Sequence, residues 1–237
     1  MALTETRLAD NTQAQDGWRL LRFSADPDSA LAPGHWLHLA AGDDEAAVAV
    51  YRFHANEAWW AALVPPDHRL AGLSRGKTLT VRRIGGDPLP APDGDTVLLG
   101  AGAGIGPILA HAETAQEAPR LVCLGDASGL PVRTCPSRFV VSQLPAEVMA
   151  GVTPLEAVGV VARVAVPGER PGCYDGDAVG LLRTYLTGVE HGGDPAPTSL
   201  IAATPWRTLA ARQEELAARF QHITVLELPA ASDARCH

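Results

Sequence analysis

The sequence predicts a two-domain protein. An antiparallel β-barrel of six strands comes first, and a parallel-sheet, Rossmann-like α/β domain follows. Three observations predict this. The first half carries six short apolar segments bounded by Gly, Pro, Asp or Asn, the spacing of a barrel or sandwich. A proline-rich stretch, GGDPLPAPDGD (85–95), then interrupts the pattern like a linker. Beyond it, apolar strands alternate with helical stretches, the order of a parallel sheet covered by helices. The boundary is placed between 92 and 93, giving domains 1–92 and 93–237 of the 237-residue chain.

The barrel strands are read at 4–10, 18–24, 35–40, 46–53, 58–64 and 78–84. Trp18 and Leu20, then His35, Leu37 and Leu39, alternate as half-buried strands do. In Trp59-Trp60 one ring points inward and one outward. The outward ring either packs on the surface or stacks on an adenine or a partner. In the second half, TVLLG (96–100) is a continuous apolar strand, followed by a helix through GPILAHAETAQ. Further strands are read at 119–125, 137–142, 198–204 and 222–228, with helices at 177–188 and 205–220. Pro205 suits the first turn of that last helix, with Thr204 as its N-cap. Leu209, Leu216 and Phe220 give it an apolar stripe.

Composition excludes several functions. Hydrophobic residues are 46% and charged residues 19%, with a net charge of −8. A phosphate backbone needs basic patches, so nucleic acid is not the expected partner. No apolar run approaches the length that crosses a bilayer, and the start, MALTETRLAD, lacks a signal-peptide profile. The expectation is a cytoplasmic protein away from membranes. Cys123, Cys135, Cys173 and Cys236 stand far apart with no CxxC, so no metal site is expected. His35 and His38 fall on opposite strand faces and make a poor metal pair.

The informative stretch is VLLGAGAGIGP (97–107), an apolar strand running into Gly100, Gly102, Gly104 and Gly106 and closed by Pro107. A strand entering a glycine turn and then a helix presents backbone N–H groups to an anion. Glycine also removes the Cβ atoms that would keep a phosphate away. The dinucleotide pattern GxGxxG does not fit, because Ile105 and Pro107 stand at the third-glycine positions. A tight strand–helix turn without a ligand remains the other reading.

The order of parts resembles the ferredoxin–NADP reductase superfamily. Gly100 to Pro107 is similar to that family's GGGTGIAP, and APGHWLHL (32–39) to its PGQ-aromatic-hydrophobic segment. LSRGKTLTVRRIGGDP resembles its L-x-x-G-D strand, and GCYDGDAVGLL (172–182) its G-x-V-T-D-L-L stretch. The likeness runs nearly the whole chain and leans toward the electron-transfer subunit of dihydroorotate dehydrogenase. It implies FAD on the barrel, NAD(P)H on the second domain, hydride transfer between them, and a redox protein or dehydrogenase subunit as partner. Carried over by residue, the nucleotide contacts are Gly100, Gly102, Ala103, Gly104, Ile105, Gly106 and Pro107, with Thr204 near the nicotinamide. Tyr51, Arg52, His68 and Arg69 are the barrel candidates. No catalytic residue is assigned.

Three positions depart from the pattern. The family's Arg-x-(Tyr/Phe)-Ser on the fourth strand falls on Ala46-Ala47-Val48-Ala49. Losing a charge-assisted phosphate contact costs roughly 1.5–3 kcal/mol, about tenfold to a hundredfold in affinity. Arg52 lies six residues on and is either a substitute or a surface arginine. The pyrophosphate turn falls on VPPDHRL (64–70), where Pro65 and Pro66 have no N–H to give and Asp67 adds negative charge. His68 or Arg69 reaches an anion in one reading; in the other the stretch is a rigid turn with Asp67 as a helix N-cap. Finally, the family's Cys-Gly-Pro falls on Ala203-Thr204-Pro205, and Ala103 replaces its Thr. An NAD(P)H-dependent oxidoreductase is the first expectation. A reductase-like module that only binds a nucleotide or a partner is the alternative.

Overall fold

A computed structural model describes residues 4–42, 44–205, 209 and 213–228. The first sheet contains β1 (Glu5–Gln13), β2 (Arg19–Ser24), β3 (Trp36–Ala41), β4 (Asp44–Ala49), β5 (Arg52–His54), β6 (Trp59–Val64) and β7 (Thr78–Gly85). All its pairings are antiparallel, in the order β4-β3-β7-β1-β2-β6-β5. There are seven strands rather than six because 46–53 breaks in the middle. The N–H of Val50 bonds the carbonyl of His35, while the N–H of Tyr51 bonds that of Ala61. Two successive residues thus serve opposite ends of the sheet. That switch rolls the sheet toward closure, and a straight strand could not make it. Leu8, Leu21, Phe23, Leu37, Leu39, Val48 and Trp60 fill the interior.

The second unit contains β8 (Thr96–Ala101), α1 (Ile105–Thr114), β9 (Leu121–Gly125), β10 (Thr134–Pro136), β11 (Ala150–Val152), α2 (Thr153–Ala157), β12 (Ala162–Val166), β13 (Tyr174–Asp175), α3 (Ala178–Gly192), β14 (Ser199–Pro205), α4 (Gln213–Ala217) and β15 (His222–Leu228). Six of its strands form a parallel sheet in the order β13-β12-β9-β8-β14-β15. Successive residues point to opposite faces, as the strand period of two requires. Leu98, Val122, Leu124 and Ile201 join the cluster under α1, while Val97, Leu99, Cys123 and Leu200 join the one under α3. Asp177 caps α3, its carboxylate accepting the N–H of Gly180 at 2.6 Å.

Three sequence expectations are corrected. Residues 137–142 form no strand: Val140 is 92% exposed, and the carbonyl of Phe139 is taken by Arg163 instead of a ladder partner. The strand at 162–166 was not expected, because Arg163 breaks its apolar run; that arginine is 2% exposed. Thr204 and Pro205 do not open a helix. They extend β14, opposite Glu227 and Leu228 of β15. The β14–β8 register ends at Ala203–Gly100 and β8 itself at Ala101, so among the described residues Pro205 has no β8 partner on that edge of β14. A proline without an N–H is tolerated there. The start of the expected helix, 206–208 and 210–212, lies outside the described residues. Leu209, Leu216 and Phe220 are buried in the cluster under α3.

The two units share one apolar seam. Trp18, Ala49 and Leu63 of the barrel belong to the same cluster as Leu98, Ile105 and Ile108. Two ion pairs also cross it, Arg52 with Glu113 and Arg170 with Asp16 at 2.7 Å. Asp16, at φ 53°, also accepts the N–H of Leu130 at 3.0 Å. The Arg170 guanidinium holds the Asp16 carboxyl below its ordinary value of 3.8, burial opposing. A carboxyl lowered in the folded state stabilises above its ordinary pKa, and that contribution fades as pH falls through the lowered value. Asp16→Asn is expected to reduce stability at pH 7 and to flatten its decline below about pH 4. Denaturant unfolding at pH 7 and pH 3 checks this; equal acid sensitivity in both proteins would exclude it.

Candidate functional site

In an open parallel sheet, ligands bind beyond the carboxyl ends of the strands where the connections diverge to opposite sides. Here that point lies between β8 and β14. The chain leaves β8 through a 3-10 turn, Gly102–Gly104, and enters α1 at Ile105. Gly104 is the N-cap of α1 and brings no side-chain cap. The first turn of the helix therefore keeps the partial positive charge of its N–H groups.

Gly100 and Gly104 are required by close neighbours and Gly102 by its backbone, whereas a Cβ on Gly106 would make only ordinary contacts. A Cβ on Gly100 would stand 2.9 Å from Leu124 Cδ2 and 3.2 Å from Ile105 Cα. On Gly104 it would stand 1.9 Å from the carbonyl oxygen of Ala203. On Gly106 it would stand 3.4 Å from the Cβ atoms of Tyr51 and Leu63. Gly102 has φ 54°, a left-handed backbone that glycine adopts without strain. Gly100 and Gly104 therefore record the approach of α1 and β14 to one turn. Ala103 is half-buried, Ile105 and Pro107 are buried, and Thr204 is fully buried one residue beyond Ala203.

The expected barrel residues divide into two groups. Tyr51 and Arg52 come to α1: Tyr51 packs at Gly106, and the Arg52 guanidinium lies 4.8 Å from the Tyr51 ring while pairing with Glu113. Burial, then the Glu113 charge, push the Tyr51 hydroxyl upward. These residues, with His54, Pro154 and Val158, line an open cavity of about 520 Å³ at the seam. His68 and Arg69 lie elsewhere, on the turn after β6. His68 Nδ1 accepts the N–H of Leu70 at 3.2 Å, so Nε2–H donates to the Ala47 carbonyl at 3.1 Å. Burial holds the imidazole below its usual value, so it is neutral at pH 7. Arg69 is exposed. The outward Trp59 ring stacks on His54 with centroids 4.0 Å apart and carries the Arg22 guanidinium at 4.2 Å from its centroid. These partners come from the two strands that flank Trp59, β5 and β2.

Solved structures share this fold. The cytochrome P450 reductase GcoB of Amycolatopsis aligns at 15% identity and TM-score 0.64, over 97% of this chain and 70% of that one. The fold is ferredoxin reductase-like. The ferredoxin reductase of carbazole 1,9a-dioxygenase aligns at 12% identity and TM-score 0.64, covering 94% and 68% of the two chains. An NADH-dependent reduced ferredoxin–NADP oxidoreductase aligns at 15% and 0.62, covering 98% and 79%. These neighbours are ferredoxin reductase-type electron-transfer proteins. Neither a protein-family model nor a curated protein matches the chain.

The ferredoxin reductase-like fold raises the question of which cofactors its residues fit. A nicotinamide nucleotide fits the β8–β14 edge, with its glycine turn and uncapped helix start. A flavin dinucleotide does not fit the barrel. Ala46 and Val48 face the barrel interior, and the alternate positions on β4 are Glu45, Ala47 and Ala49, so neither phase of the strand presents a cation. Among the described residues no group of His, Cys, Asp and Glu could hold a metal, and no helix is long and apolar enough to cross a membrane.

The sequence missed Glu113, Asp16 and Arg170. Asp16 and Arg170 stand 154 positions apart, and no local pattern links them. Glu113 had a weak signal, an acidic residue late in a helix whose C-terminal dipole disfavours it.

Proposed function

We propose that the chain is a ferredoxin reductase-like oxidoreductase module that takes NAD(P)H at the carboxyl ends of β8 and β14. One observation carries this reading: the glycine turn delivers an uncapped α1 to the point where the sheet connections diverge. The amides of Gly102, Ala103 and Gly104 would hold the phosphates, while the Ile105 N–H donates to the Gly102 carbonyl and closes the turn; the helix dipole favours the phosphate charge. Gly100, Gly106 and Pro107 shape the turn. Thr204, fully buried near the end of β14, would lie behind the nicotinamide, which when bound supplies a hydride. Tyr51 and Arg52 fix the barrel against α1. The units at 1–92 and 93–237 would work as a pair, with a redox protein as partner. The neighbour GcoB, a P450 reductase, and the sequence likeness to a dehydrogenase electron-transfer subunit both support such a partner.

A second reading, binding without redox chemistry, is favoured by Ala203 and Thr204 standing where the family has Cys-Gly. Calorimetric titration of the full chain with NADH and NADPH tests the first step. Dissociation constants between about 1 μM and 1 mM are expected, the usual range for such ligands. No heat signal for either would defeat the nucleotide reading. Binding without NADH or NADPH oxidation, with ferricyanide or a flavin as acceptor, would favour the second.

A further inference from the structure

We infer that this chain keeps no resident flavin, because the barrel surface on which one would lie joins the two halves of the molecule instead. The inference rests on the reading above for the placement of NAD(P)H, but it concerns the barrel alone.

The donor set is the first argument. A flavin dinucleotide brings a pyrophosphate with two negative charges, which needs cations or free N–H groups. On β4 the phase that does not face the barrel interior is Glu45, Ala47 and Ala49, none of them a cation. The turn after β6 offers Pro65 and Pro66, which have no N–H, then the Asp67 charge, with the exposed Arg69 as its cation. The neighbouring His68 is neutral, with both ring nitrogens engaged within the chain.

The sign of the local charge agrees. Asp126, in the loop after β9, lies close enough to Asp67 to feel its charge; burial first, and Asp67 in addition, push its carboxyl upward. A pyrophosphate at this turn would meet the repulsion of the Asp67 charge.

Space is the third argument. Ala49 belongs to one apolar cluster with Ala203, Leu226 and Leu228. Strand β4 packs directly on β15 and on the glycine turn, with Cα atoms within 8 Å. A ring system sandwiched between two surfaces needs two van der Waals separations, about 7 Å beyond the side chains themselves. Direct strand-to-strand packing leaves no such layer. The His68 clasp on Ala47 closes the adjoining length of β4.

The test uses the full chain, shown to be folded by cooperative unfolding. It is denatured to count released flavin, and the folded protein is titrated with FAD, FMN and riboflavin by fluorescence. Less than about one flavin per ten chains is expected, and no saturation below about 100 μM. One flavin per chain, or any flavin bound tighter than about 10 μM, would overturn the inference. NADH and NADPH titrations separate it from the proposed function. Nicotinamide binding without flavin binding upholds both. Flavin and nicotinamide binding together sink only this inference, and binding of neither sinks only the nucleotide reading. Flavin binding alone sinks both.

Discussion

Gly104→Ala is expected to destabilise the protein by about 3 kcal/mol, the upper part of the usual range for overpacking a rigid site. The new Cβ would lie 1.9 Å from the Ala203 carbonyl oxygen and 3.0 Å from the Ala203 Cβ. Both are atoms of a central strand, which pairs with β8 and β15 and cannot swing aside as a long side chain would. At roughly 2–4 °C per kcal/mol for a chain of this size, the melting temperature should fall by about 6–12 °C. Gly72→Ala is the control. Its added Cβ meets nothing within 4 Å and its φ is not left-handed, so the change should be neutral or slightly stabilising. Melting curves for the two variants, without nucleotide, decide the matter. If Gly104→Ala melts with wild type, β14 does not press on the turn, and the glycine is kept for a ligand rather than for packing.

Arg163→Met is expected to cost about 3–5 kcal/mol, as breaking a buried charged network does. The Arg163 side chain lies within the α/β unit and donates to three backbone carbonyls: Val148 at 3.0 Å, Ala162 at 2.7 Å and Phe139 at 2.5 Å. Methionine keeps the length and none of the donors. Each buried carbonyl left without a partner costs about 1–3 kcal/mol, although movement of the 137–149 segment toward water recovers part of that. Arg163→Lys should fall between, because an ammonium cannot span three acceptors as the planar guanidinium does. Denaturant unfolding measures the stability, and limited proteolysis shows where it is lost. New cleavage within 137–149 is expected in the methionine variant, since Arg163 is what ties Phe139 and Val148 to the sheet. A stability loss under about 1 kcal/mol would mean that the guanidinium merely fills space.

The elements legible in the sequence were those whose signal is local. Apolar runs bounded by turn residues located most of the strands, and Asp177 marks the start of α3 with its own carboxylate. The glycine run located the turn at the end of β8. It was ambiguous about cause, because a phosphate and a neighbouring strand make the same demand on a Cβ. At 46–53 a continuous apolar stretch concealed a change of hydrogen-bonding partner between Val50 and Tyr51. At 162–166 one buried arginine disguised a strand, because a charge inside an apolar run reads as solvent exposure until its three carbonyl partners are known. The Thr204-Pro205 pair carries a good helix-start signal, and β15 overrides it by offering a parallel ladder.

By itself the sequence determined the two-part architecture, the position of the glycine turn, and the lack of a cation at Ala46 to Ala49. Those properties follow from residue type and spacing along a short length of chain. The tertiary structure alone decided what the glycines make room for, where His68 spends its two nitrogens, and how Asp16 and Arg170 meet across the seam. Each depends on segments brought together from far apart, and hydrogen-bond saturation and close contact exist only once those segments have packed.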